Sequence, residues 1–129
     1  MQIARTGIIL NTERYHDCVA FYRDLFDLPL LFQQRHGDFR LTCFDFKGAY
    51  LMVETGGHAK PEGKTIEHNA SKLRFNVTSL EDALQTLNNH GIAAEIKVND
   101  WGSTIDIFDP DGNRVGIREE SSFAAQIDH

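Results

Sequence analysis

The sequence predicts an α+β protein in which one βαβββ unit is written twice. Three observations carry that expectation. The apolar pattern runs strand, helix, three strands, and then repeats in the same order. The two copies keep register: Lys72 stands 65 positions after Gly7 and Gly112 stands 64 after Gly48. Between the copies lies a polar stretch containing Gly56, Gly57, Pro61 and Gly63, which is loop composition. The expected organisation is a single domain over residues 1–129. A first module occupies about 1–55, a linker about 56–70, a second module about 71–119, and a C-terminal tail 120–129.

The elements follow in order. Residues 3–11 read as a strand around the apolar run Gly7-Ile8-Ile9-Leu10. Thr12 is a candidate helix cap. Tyr15, Cys18, Val19, Tyr22, Leu25 and Phe26 then recur at helical spacing, with Phe21 widening the stripe. Asp27-Leu28-Pro29 stops the helix, because proline disfavours helical geometry at the residue before it. Strands are expected over 30–34, 39–46 and 49–54, with turns at His36-Gly37-Asp38 and Lys47-Gly48. The second copy opens with a strand over 71–77. Ser79 caps a helix carrying Leu80, Ala83, Leu84 and Leu87, which Gly91 closes. Strands over 92–98 and 102–108 follow. The turn Asp109-Pro110-Asp111-Gly112 leads into a last strand over 113–119.

Composition narrows the class. A chain of 129 residues with 41% hydrophobic and 25% charged residues can bury a core of its own. The formal charge of −6 argues against a nucleic-acid partner, which wants a clustered basic face. The N-terminus has neither the apolar length of a membrane span nor the form of a signal peptide, so the expected location is the cytoplasm. Cys18 and Cys43 have no zinc-binding spacing and read as buried free thiols.

Two segments carry a family resemblance. Residues 20–28, AFYRDLFDL, are similar to the first helix of glyoxalase-like domains. Trp101-Gly102-Ser103-Thr104, followed by Phe108-Asp109-Pro110-Asp111-Gly112-Asn113, resembles the last hairpin of the bleomycin-resistance branch. The chain resembles the vicinal oxygen chelate superfamily, which groups glyoxalases, bleomycin-resistance proteins and extradiol dioxygenases. That resemblance implies paired βαβββ modules forming an eight-stranded open cup. It also implies a homodimer and a small-molecule ligand in the cup. In the family's enzymes a divalent metal acts as a Lewis acid on vicinal oxygens.

The four strand positions that hold this metal in the family fall on Gly7, Met52, Lys72 and Gly116. Glycine has no ligating side chain, thioether suits a hard divalent ion poorly, and a lysine ammonium repels one. The expectation is therefore no metal in the usual place and no cofactor. Alternation along the strands makes Asn11, Glu54, Lys72, Arg74, Asn76 and Arg118 candidate ligand-binding residues, with Phe39, Phe44 and Trp101 as candidate aromatic walls. Glu54 is also the candidate acid–base residue. The expected function is metal-free binding of a small molecule. The alternative is a lyase, isomerase or dioxygenase of the superfamily with a displaced metal or an acid–base site.

Overall fold

The computed structural model describes residues 1–128; of the expected tail, His129 lies outside the described residues. The chain divides into two units, Met1–Pro61 and Glu62 onward. In the first, β1 (Gly7–Thr12), α1 (Tyr15–Phe26), β2 (Leu30–His36), β3 (Phe39–Phe46) and β4 (Ala49–Thr55) form a four-stranded sheet of order β1-β4-β3-β2. In the second, β5 (Leu73–Val77), α2 (Leu80–Asn89), β6 (Lys97–Asn99), β7 (Gly102–Phe108) and β8 (Arg114–Glu119) repeat it as β5-β8-β7-β6, and α3 (Glu120–Ile127) follows. In each unit the first strand runs parallel to the last and the remaining pairs are antiparallel. The repeat reaches individual pairs: Ile9 faces Met52 in one unit, and Arg74 faces Gly116 in the other. No helix among the described residues is long and apolar enough to cross a membrane.

Each sheet buries one face under its helix. In the first unit Cys18, Val19, Phe21 and Tyr22 of α1 are buried with Phe44, Leu51 and Val53. In the second, Leu80 and Leu87 of α2 are buried with Ile105, Ile107, Val115 and Ile117. Side chains alternate along a strand, so the partners of these core residues set the opposite faces. That face carries Gly7, Ile9, Asn11, Tyr50, Met52 and Glu54 in the first unit. In the second it carries Arg74, Asn76, Thr104, Asp106, Gly116 and Arg118.

Helix boundaries follow local chemistry. The α1 stripe lies where its spacing places it, and the helix ends as Asp27 turns left-handed (φ 51°) just before Leu28-Pro29. Ser79 caps α2 by accepting a hydrogen bond from the Asp82 amide at 3.2 Å. Its far end is a Schellman motif: Ile92 N–H donates to the Leu87 carbonyl and Gly91 N–H to Asn88. Gly91 supplies the positive φ of 76° that the motif needs.

Two expectations are corrected, and the tail and the linker gain detail. Thr12 does not cap α1; it is fully buried, and its hydroxyl donates to the Glu54 carbonyl at 3.0 Å, so it ties β1 to β4. The strand expected from residue 92 shrinks to Lys97–Asn99, because Ile92 is spent on the Schellman turn and Ala93-Ala94-Glu95 has low strand propensity. Most of the tail expected over 120–129 forms a helix, α3. The linker divides between the units: Ala59 N–H donates to Glu13 (2.8 Å), whereas Lys64 bonds the Gly112 carbonyl and the Asn113 side chain.

Candidate functional site

The open face of the second unit gathers the most charge. Lys72 Nζ donates to Asp106 Oδ1 at 2.8 Å, and Lys97 Nζ lies 3.7 Å from Asp106 Oδ2. Arg74 stands beside them, its guanidinium 5.8 Å from the centre of the Trp101 ring. Three cations thus surround one carboxylate. Burial pushes the Asp106 carboxyl up, but the Lys72 hydrogen bond and the charges of Lys72, Lys97 and Arg74 outweigh it, holding the group below its ordinary 3.8. A carboxylate depressed in the folded state contributes stability above about 3.8, and that contribution is lost as pH falls through the lower folded value. Asp106→Asn is therefore expected to separate from wild type in urea melts at pH 6 and to converge with it in strong acid. A gap unchanged between those conditions would contradict the assignment.

The family's metal positions can be tested on this geometry. A Cβ at Gly7 would fall 2.2 Å from the Tyr50 ring, so that ring lies over the glycine where a ligand side chain would start. Met52 offers a thioether one pair further along, opposite Ile9. A Cβ at Gly116 would stand 2.9 Å from Lys72 Cε and 3.0 Å from Arg74 Nε. In the second unit, then, two cationic side chains occupy the space in front of the ligand position, and Lys72 is itself ion-paired. These residues do not fit a divalent cation, which needs anionic or neutral oxygen or nitrogen donors. Among the described residues, no group of three or more His, Cys, Asp or Glu side chains is placed to hold one.

The other candidates sort as follows. Glu54 is half-buried and accepts from Asn11 Nδ2 at 3.1 Å, and the same amide reaches the Thr55 carbonyl at 3.3 Å. Phe39 is on the open side of its sheet and partly exposed. Phe44 is not a wall: it is 1% exposed, on the helix-covered face, because its partner in β4 is the core residue Leu51. Arg118 is also corrected. It faces the open side but is buried, with its guanidinium donating to the Trp101 carbonyl (2.8 Å), Gln126 Oε1 (2.8 Å) and Ser122 Oγ (3.2 Å). It lies 4.7 Å from the Trp101 ring centre and 5.4 Å from that of Phe123. Arg118 is a pin for α3, not a hand for a ligand. Asn76 is likewise engaged, donating to Glu120 at the start of α3.

Sequence reasoning missed Asp106, Lys97 and α3. Asp106 and Lys97 could have been found by extending strand alternation to the third and second strands of the repeat, since Asp106 pairs with Gly116 and Lys97 with Thr104. The two cysteines are free and buried, as expected, and burial raises the Cys43 thiol above its ordinary value against the charge of Arg5.

Comparisons with known proteins agree on the fold. The family model described as Glyoxalase/Bleomycin resistance protein/Dioxygenase superfamily matches residues 2–117. Among solved structures, a glyoxalase family protein from Enterococcus faecalis superposes with a TM-score of 0.70 at 20% identity, covering 92% of this chain and 97% of that one. The glyoxalase I of Leishmania major gives 0.72 at 10% identity, over 98% and 94% of the two chains. TnmS3, an antibiotic binding protein from Streptomyces sp. CB03234, gives 0.68 at 19% identity, over 92% and 98%. No curated protein matches in sequence.

Proposed function

This chain belongs to the Glyoxalase/Bleomycin resistance protein/Dioxygenase superfamily, and from that premise we propose that it binds a small anionic molecule without the family's metal. The carrying observation is the substitution of cations for ligands on the second unit's open face. Lys72 and Arg74 crowd the Gly116 position, Lys97 stands near, and Asp106 neutralises only part of their charge. Trp101, a residue 44% exposed, supplies a flat apolar wall beside Arg74. An arginine beside an aromatic surface, with a lysine at the same glycine position, suits a planar molecule bearing a carboxylate or phosphonate: the cations fix the oxyanion and the ring takes the flat body. The binding role is the one that TnmS3's description carries, an antibiotic binding protein of the same fold. In this reading Glu54 and Asn11 hold each other on the first unit's face and take no proton from substrate.

Calorimetric titration with phenylphosphonate tests the reading. Wild type gives a saturable isotherm. Lys72→Gln with Arg74→Gln weakens binding by about 100-fold, because each charge-assisted contact is worth about 1.5 kcal/mol. An isotherm unaffected by the double substitution would remove the face from consideration.

A further inference from the structure

The first unit contains a second basic recess, on the other side of its sheet. A groove of about 540 Å³ lies between α1 and the β2–β3 hairpin. Its lining includes Arg23, Arg35, Arg40 and His16, together with Gln33 and Thr42. No Asp or Glu lines it, although the chain as a whole has 19 acidic and 13 basic residues. The groove is on the helix-covered side, shares no residue with the Lys72–Arg74 face, and is not explained by the ligand-binding reading given above.

Hydrogen bonding within the groove leaves positive charge uncompensated. Arg23 is paired with Asp24 at 2.7 Å, so its charge is largely spent. Arg40 is not matched with a carboxylate; its Nη1 lies 2.9 Å from His16 Nε2. A guanidinium can only donate, so His16 Nε2 is the acceptor of this contact. Arg35 Nε donates to the Gly37 carbonyl at 3.2 Å, which orients the side chain without cancelling its charge. The floor is a neutral polar network: Tyr15 OH meets Thr42 Oγ1, and Gln33 Nε2 donates to the same oxygen at 3.2 Å. Thr42 is fixed by burial at 1% exposure. Two guanidinia above a rigid amide and hydroxyl floor offer planar donor forks matched to oxyanion geometry.

We propose that this groove between α1 and the β2–β3 hairpin binds a compact multivalent oxyanion, held by Arg35 and Arg40 above Gln33 and Thr42. Phosphoryl groups and polycarboxylates share the required chemistry. Amide-resolved NMR of the full chain at fixed, high sodium chloride tests it, with inorganic phosphate in one arm and citrate in the other. The expected result is a saturable shift at Tyr15, His16, Gln33 and Thr42 in at least one arm. Saturation by phosphate alone identifies a phosphoryl ligand, and saturation by citrate alone a polycarboxylate. Arg40→Gln and Arg35→Gln each raise the midpoint by about tenfold. Arg35 is exposed, so its variant keeps the wild-type spectrum elsewhere and serves if Arg40→Gln disturbs the fold. Shifts that fail to saturate in both arms, or midpoints indifferent to both substitutions, overturn the proposal.

Discussion

Asp109→Ala is expected to destabilise the second unit by about 3–5 kcal/mol, the largest effect of any single substitution considered. Asp109 is 2% exposed at the mouth of the β7–β8 turn. Its Oδ1 accepts from the Asp111 and Asn113 amides, both at 2.9 Å, and its Oδ2 from Asn113 Nδ2, also at 2.9 Å. Alanine strips three buried donors of a charged acceptor at once, and each orphaned donor costs about 1–3 kcal/mol. The turn also anchors the linker through Lys64 and Asn69, both bonded to Asn113 Oδ1, so its loosening spreads. Asp109→Asn keeps one acceptor oxygen and turns an amide toward Asn113 Nδ2, so roughly half the loss is expected. Urea denaturation gives both values. A cost below about 1 kcal/mol for alanine would show that the turn holds without its carboxylate.

Arg118→Met comes second, at about 2–3 kcal/mol, and it acts locally. Methionine approximates the length and apolar stem of arginine, so packing is largely preserved while three hydrogen bonds and two ring contacts disappear. Part of the loss is offset because a buried charge no longer has to be desolvated. The Trp101 carbonyl and the Gln126 amide oxygen lose the guanidinium donor that links them. That loss frees α3 to lift from the sheet. The helix has no buried residue of its own to resist this. Trp101 is the only tryptophan, so its emission reports the event directly. The expected outcome is a red-shifted spectrum together with faster amide exchange over residues 120–127. Lysine at 118 does not rescue, since an ammonium cannot span the Trp101 carbonyl and Gln126 as the guanidinium fork does.

The sequence made the elements legible wherever period and punctuation agreed. β3 and β7 lie where alternation put them, and α1 follows its stripe from Tyr15 to Phe26. The same signals failed where tertiary contacts compete. Thr12 has the chemistry of a cap, yet burial recruits its hydroxyl to bridge strands. Aromatic character alone does not tell core from pocket at Phe44; its pairing with Leu51 does. Alternation puts Arg118 on the right face but not in its task, because the helix that occupies it begins in residues whose pattern is too weakly amphipathic to announce a docked element. The charged site is half visible. Lys72 and Arg74 emerge from the first strand of the repeat, whereas Asp106 and Lys97 join them only when the alternation is carried across to the second and third strands.

The proposed exchange of the family's metal for cationic side chains in this chain is decided by titrating phenylphosphonate into protein passed over a chelating resin, with Trp101 emission as the readout. Saturable binding in the absence of divalent ions, unchanged on adding Mn(II), is the predicted result. Binding that appears only once Mn(II) is present would contradict the claim.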